Sequence, residues 1–166
     1  MPHTSPADQD YDLWVLLNQV QSLMMNARDI ELMEYGTTAM QAAVLFIINS
    51  IGEETIPAEI SRWLLRKPAT VSGLLDRMEK AGLIDRARDL PRKNLVRVRL
   101  TEKGKQAYKQ SLKRETVHEI MSRLSKEERQ QLASILVKLR NGATKVLRHG
   151  EEIPFPETSE TPGQNR

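Results

Sequence analysis

The feature that most constrains this chain is a change of hydrophobic period within one short stretch. Residues 68–81, PATVSGLLDRMEKA, repeat apolar residues at helical spacing and are followed by Gly82. This pattern predicts an amphipathic helix with one buried stripe. Residues 94–100, NLVRVRL, alternate apolar and polar residues instead, which predicts a β-strand with one apolar face. The predicted buried stripe of the helix consists of Val71, Leu74, Leu75 and Met78.

The strand belongs to a predicted β-hairpin that is strongly basic. A first short strand is expected over residues 83–88, and the polar linker that follows it contains Pro91. Six Arg and Lys residues lie between Arg86 and Arg99. Val96, Val98 and Leu100 are expected to form the inner face, which leaves an arginine-bearing outer face and a basic tip. Thr101 is suited to cap the next helix.

The remaining segments predict helices. One begins at Tyr11, and a capping box at Thr38 opens a second that is apolar nearly all round. A third begins at Pro57 and ends close to the helix at residues 68–81, so the two form a possible helix-turn-helix. After the hairpin we expect one helix from Glu102 towards Leu124. A final helix, opened by a second capping box at Ser125, should continue through Gly142. The capping boxes are Thr38-Ala-Met-Gln41 and Ser125-Lys-Glu-Glu128.

Charge is divided unevenly along the chain. Residues 1–61 hold one basic and nine acidic residues, a net charge of −8. Residues 62–105 hold thirteen basic and five acidic residues (+8), and residues 106–166 hold eleven and eight (+3). A central basic segment beside an acidic one favours a surface that binds a polyanion. The alternative is a charged face that only meets water.

Several classes of site are not indicated. The chain has no cysteine, which excludes disulfides and zinc–thiolate centres. His3, His118 and His149 lack a metal-ligand spacing. We find no nucleophile elbow, phosphate-binding loop or dinucleotide fingerprint. The sequence therefore predicts no enzyme, metal or cofactor. The absence of a signal-peptide pattern and of a long apolar run predicts a cytoplasmic protein without membrane association.

The order of these elements and two motifs resemble the MarR (multiple antibiotic resistance regulator) family. The motifs are TVSGLLDRMEKAGLIDRARD at 70–89 and VRVRLTEKG at 96–104, and the similar organisation extends over residues 11–148. The resemblance implies a mainly α fold with a small β-hairpin wing, a winged helix-turn-helix flanked by N- and C-terminal dimerisation helices. It also implies a homodimeric transcriptional regulator whose recognition helix reads the major groove of DNA and whose wing reaches the minor groove.

On this basis the chain divides into five parts. They are a disordered lead (1–10), an N-terminal dimerisation helix (11–36), a DNA-binding lobe (37–105), C-terminal dimerisation helices (106–148) and a disordered tail (149–166).

The same interpretation gives a set of expected DNA-binding residues. They are Arg66, Lys67, Thr70, Ser72, Arg77, Arg88, Arg92, Lys93, Asn94 and Arg97. Two places depart from the family pattern. Arg92 replaces the usual acidic residue of the wing and Asn94 the usual arginine, while Gly73 replaces a polar side chain of the recognition helix and can make no side-chain contact with a base. We therefore expect more weight on phosphate contacts and groove shape.

Three large side chains are candidate binding residues for a small-molecule effector. Trp14, Met40 and Trp63 could line a pocket between the dimerisation helices and the DNA-binding lobe, although apolar residues at helical spacing more often belong to a core. The sequence thus predicts a DNA-binding regulator, a ligand-relieved repressor that acts as a homodimer on a pseudo-palindromic operator. The alternative is a winged-helix module that binds an acidic protein or RNA.

Overall fold

The computed structural model describes residues 6–88 and 95–147, and its architecture is mainly α with one β-hairpin, as predicted. The order is helix, helix, helix, helix, hairpin, helix, helix, helix. The elements are α1 (Pro6–Met33), α2 (Ala39–Ile51), α3 (Pro57–Leu64), α4 (Pro68–Lys80), β1 (Ile84–Ala87), β2 (Arg97–Leu100), α5 (Glu102–Ser111), α6 (Glu115–Met121) and α7 (Lys126–Val146).

One hydrophobic core joins α2, α3, α4, the hairpin and α5. The predicted stripe of α4 is buried in it, which confirms the helical interpretation of residues 68–81. Helix α2 is central, as its apolar sequence predicted, and contributes Val44, Leu45, Ile47 and Ile48. These elements position α4 so that its polar face is left to solvent.

The hairpin is antiparallel and shorter than predicted. Ile84 pairs with Leu100 and Ala87 with Arg97, and Val98 is buried on the inner face as expected. The first strand does not include Leu83, because the Leu83 amide donates to the carbonyl of Met78 (2.9 Å) and so belongs to the turn that ends α4. The second strand begins at Arg97, so Leu95 and Val96 of the predicted strand precede it. Asn94 lies outside the described residues.

The predicted helix caps are confirmed. Thr38 and Gln41 form a capping box at α2, and Ser125 and Glu128 form one at α7. The Thr101 hydroxyl accepts from the amide of Gly104, which caps α5. Local sequence alone therefore determines where these three helices begin.

Helix α1 begins at Pro6, five residues earlier than the predicted start at Tyr11. The expectation of a disordered lead over residues 1–10 is therefore wrong for residues 6–10. Asp8 lies in the first turn, where a carboxylate interacts favourably with the helix dipole. Residues 1–5 of that lead lie outside the described residues, as does the tail expected at 149–166.

The expected single helix from Glu102 towards Leu124 is two helices in the structure. Helix α5 ends at Ser111 and α6 begins at Glu115, with Arg114 in the left-handed region (φ 53°) between them. A left-handed backbone is costly for a residue other than glycine. Tertiary contacts of α6 with α1 hold this turn in place.

A polar cluster on α1 makes those contacts. The Glu31 carboxylate accepts from the amides of Glu115 (3.0 Å) and Thr116 (3.2 Å), which satisfies the first turn of α6. Arg28 lies 2.6 Å from Glu31 and also donates to the carbonyl of Ser111. Although burial opposes ionisation, hydrogen bonds from Arg28 and Thr116 hold the pKa of Glu31 below its ordinary value. Sequence reasoning missed this cluster because its members lie more than 80 positions apart.

Two helices have apolar faces that the described part of this chain does not cover. On α1, Leu13, Leu16 and Leu23 are exposed, and α7 has no buried residue. Leu136 and Leu139 of α7 are 44% and 50% exposed. Such faces are typical of surfaces that pack against another element. Within residues 6–88 and 95–147, no helix has the length and apolarity required to cross a membrane.

Candidate nucleic-acid interface

Helices α3 and α4 form a helix-turn-helix with a tight connection. Leu65 adopts a left-handed conformation (φ 52°) that ends α3, and the Arg66 amide donates to the carbonyl of Ser61 (3.1 Å). Pro68 then starts α4. Arg66 and Lys67 are exposed in this connection, so both predicted residues lie at the N-terminal end of α4, where backbone amides favour anions.

The outward face of α4 carries three predicted contact residues. Thr70, Ser72 and Arg77 are all exposed, and Gly73 lies one helical turn before Arg77 on the same face. Outside the helix's own backbone, a Cβ atom built on Gly73 would come within 4 Å of only one group among the described residues, the Arg77 guanidinium at 3.8 Å. The missing side chain therefore leaves a notch through which another backbone can approach α4 closely.

A cleft of about 600 Å³ brings predicted residues together beside α4. Arg66, Lys67, Thr70 and Arg77 line it on one side. Thr38 and Gln41, at the N-terminus of α2, line it as well. The sequence predicted only a capping role for these two residues. Their position at the start of the central helix α2 was the one indication that they could also line a cleft.

The wing carries the remaining predicted residues in different environments. Arg88 is exposed after β1. The Arg97 side chain is largely buried on β2, with Nη1 3.8 Å from a carboxylate oxygen of Glu53. Its charge is thus partly neutralised within the lobe. The tip residues Arg92, Lys93 and Asn94 lie outside the described residues.

Arg86 connects the hairpin to α4. Its Nε donates to Glu79 (3.0 Å) and its Nη2 donates to Asp76, both on the exposed side of α4. The hydrogen bonds to Asp76, and then to Glu79, raise the pKa of Arg86. This pairing orients the hairpin on α4 and offsets two carboxylates that would repel phosphates. Arg86 is therefore a positioning residue rather than a free cation.

We expect Arg86→Gln to lower the free energy of unfolding by about 1 kcal/mol, because the pairs are only partly shielded from water. Urea titration measures this change. In an Asp76→Asn plus Glu79→Gln background the same substitution should have almost no further effect. A loss of equal size in that background would show that Arg86 acts through other partners.

The base of the hairpin is locked to the first turn of α5. The Thr101 amide donates to the carbonyl of Leu83 (3.2 Å), and the Thr101 hydroxyl donates to the carbonyl of Gly82 (2.6 Å). Lys103 Nζ donates to the carbonyl of Ala81 (2.7 Å). A Cβ atom on Gly104 would lie 2.0 Å from the Leu83 oxygen. Only glycine allows α5 to approach the end of α4 this closely.

The three residues expected at an effector site are not brought together. Trp14 is 58% exposed on α1 and stacks on Tyr11 (5.7 Å between ring centroids). Met40 lines the cleft beside α4, and Trp63 packs against Phe46 at the core (6.5 Å). Within the described part of one chain, these side chains do not form a common pocket.

Comparison with known proteins agrees with this architecture. Residues 35–104 match the model of the MarR family. The organohalide-sensing transcriptional regulator RdhR, solved with 2,4-dichlorophenol bound, is 28% identical to the chain with a TM-score of 0.81. That alignment covers 94% of this chain and 96% of RdhR. A search of curated protein sequences finds no match.

Two similar structures are complexes with DNA. The S. aureus MepR–DNA complex is 25% identical, with a TM-score of 0.69 over 77% of this chain and 94% of MepR. A variant of E. coli MarR solved with operator DNA is 22% identical, with a TM-score of 0.75 over 82% of this chain and 99% of that protein. The likeness to E. coli MarR shows that the two proteins share a fold.

Proposed function

We propose, from the match of residues 35–104 to the MarR family model, that this chain is a transcriptional regulator that binds double-stranded DNA. We further propose that it acts as a homodimer on a pseudo-palindromic operator and represses transcription until a small ligand binds. The observation that carries the proposal is the outward face of α4, where Thr70, Ser72 and Arg77 are exposed beside the basic connection.

The charges around α4 favour a polyanion. Arg66, Lys67 and Arg77 share one cleft with Thr70, so cations and hydroxyl donors face the same space. Arginine and lysine release counterions when they neutralise phosphates, which supplies affinity without reading sequence. Hydroxyl and guanidinium donors on a helix in the major groove supply the specificity.

The proposed dimer is supported by the apolar faces of α1 and α7, which the described part of the chain leaves uncovered. A second copy would cover both faces and hold two recognition helices at a fixed separation. Two such helices one DNA turn apart read a two-fold site. The predicted division into a DNA-binding lobe at 37–105 and dimerisation helices at 11–36 and 106–148 is part of this proposal.

Ligand relief is proposed from the likeness to RdhR. RdhR has been solved with 2,4-dichlorophenol bound, and we propose that this chain also responds to a small molecule. A ligand shifts DNA binding only if it binds one arrangement of the two lobes better than another. Within the described residues of one chain, Trp14, Met40 and Trp63 do not share a pocket.

The direct test is selection of genomic fragments by the full-length protein, followed by gel-shift titration of the selected duplex and a random duplex. We expect the selected duplex to bind at least about 1,000-fold more tightly. Equal binding of the two duplexes would favour the alternative, a module for an acidic protein or RNA. Transcription from a promoter that carries the selected site would then distinguish repression from activation.

Ser72→Ala is expected to weaken operator binding about tenfold and to leave random-duplex binding unchanged, since a lost base contact relaxes specificity. The thermal midpoint should not fall, because Ser72 is exposed and alanine favours helix. Gel-shift titration and thermal unfolding measure both effects. Ser134→Ala, on the exposed surface of α7, is the matched control. Unchanged operator affinity would remove Ser72 from the interface.

A further inference from the structure

A second groove lies on the other side of the helix-turn-helix connection, against the C-terminal end of α7. Its volume is about 660 Å³. Leu65, Ala143 and Leu147 contribute apolar surface, and Arg66 and Lys67 lie at the same groove. Leu65 and Leu147 are 53% and 75% exposed. The groove therefore leaves apolar surface in water and concentrates positive charge around it.

Among the described residues, no aspartate or glutamate lines this groove. Arg62, Arg66, Lys67 and Arg140 contribute four cations to its lining. Glu59 pairs with Arg62 (2.6 Å) but is not among the lining residues. A complementary occupant would thus be negatively charged and would carry apolar side chains for the floor.

The sequence that follows α7 has both properties. Leu147, the last described residue, itself lines the groove, and 19 residues follow it (148–166). The stretch EEIPFPETSE at 151–160 contains four acidic residues and no basic one. Ile153 and Phe155 are its large apolar residues, and each is followed by a proline.

Chain length allows this stretch to reach the groove. Ile153 is six residues beyond Leu147, a span of up to about 20 Å at roughly 3.3–3.6 Å per residue. Proline and the residue before it have restricted backbone angles, which lowers the entropy lost on docking. A short tether also gives an effective concentration on the order of millimolar.

We propose that residues 151–157, EEIPFPE, dock in this groove of their own chain. Ile153 and Phe155 cover the apolar floor, and the carboxylates face the cations of the helix-turn-helix connection. The consequence for DNA rests on the proposed function: Arg66 and Lys67 are expected phosphate contacts, so the docked segment competes with the DNA backbone for them.

The docking is tested by a disulfide cross-link between two introduced cysteines. Because the sequence contains no cysteine, no other thiol of the chain competes for the cross-link. Full-length protein with Ala143→Cys and Phe155→Cys should oxidise within one chain at least about tenfold faster than protein with Lys145→Cys and Phe155→Cys. Lys145 is exposed and lies about 200° around α7 from Ala143, so the control has nearly the same tether but the wrong face. Equal rates, or products formed mainly between chains, would overturn the proposal.

The competition is tested on full-length protein with Ile153→Ser and Phe155→Ser. Its affinity for a random duplex should rise several-fold, whereas Thr158→Ala plus Thr161→Ala should leave the affinity unchanged. An unchanged affinity of the first variant would refute competition with DNA. Because the cross-link is measured without DNA, a protein that bound no DNA would overturn the proposed function and leave the docking result standing.

Discussion

Replacing Leu139 of α7 with glutamate is expected to yield a folded monomer that binds its operator roughly 100-fold or more weakly than the parent. Leu139 is exposed on an apolar face that the described chain leaves uncovered. Burial of a leucine contributes about 1.5–3 kcal/mol. A two-fold dimer contains Leu139 from both copies, so the substitution removes this contribution at two places in the interface. The monomer also loses the avidity of two linked recognition helices, which is worth about 10²–10⁴ in affinity.

Ser134→Glu is the control for this substitution, because it adds the same charge to α7 on the side away from Leu139. Sedimentation velocity at micromolar concentration measures the oligomeric state, and circular dichroism confirms that the helices persist. A Leu139→Glu protein that remains dimeric would show that α7 is not the interface. A monomer with parental operator affinity would instead show that recognition does not need two linked lobes.

The second large effect concerns the base of the wing. Gly104→Ala is expected to lower the free energy of unfolding by about 3 kcal/mol or more, because the added Cβ would lie 2.0 Å from the carbonyl oxygen of Leu83. Relief of that overlap must move backbone, and it breaks the hydrogen bond from the Thr101 amide to the same oxygen. Urea titration at fixed protein concentration measures the loss.

Gly142→Ala is the matched control in the same experiment. Gly142 lies inside α7, and outside the helix's own backbone a Cβ there would meet no atom of the described residues within 4 Å. Alanine is favoured over glycine in a helix by roughly 0.5–1 kcal/mol, so this variant should be more stable than the parent. A Gly104→Ala protein as stable as the Gly142→Ala protein would contradict the close approach of α5 to the end of α4.

Helix α4 and the capped starts of α2 and α7 were predictable because their signals are local. The stripe at Val71, Leu74, Leu75 and Met78 follows from the period of an α-helix, whose side chains repeat every three or four residues. Capping at Thr38 and Ser125 involves residues three positions apart. The predicted contact residues of α4 were placed on its outer face by the same periodicity, although their contacts with DNA remain a prediction.

The break between α5 and α6 was not predictable in this way. Nothing in residues 111–115 requires a helix to end, and Arg114 adopts a left-handed conformation that its side chain disfavours. The turn is held because Glu31 accepts from two amides of α6. A helix prediction considers neighbours within a few positions, whereas this cap comes from a helix more than 80 residues earlier in the chain.

Apart from the break between α5 and α6, the sequence by itself determined the order of helices and hairpin, and it determined the concentration of positive charge between residues 62 and 105. Both depend on residue type and on spacing along the chain. Only the tertiary structure decided which charges are engaged. It pairs Arg86 with Asp76 and Glu79 on α4 and leaves Arg88 exposed, although the two arginines are only two positions apart in the sequence. The physical reason is that an ion pair depends on distance in space, and sequence separation does not specify that distance until the hairpin is folded onto α4.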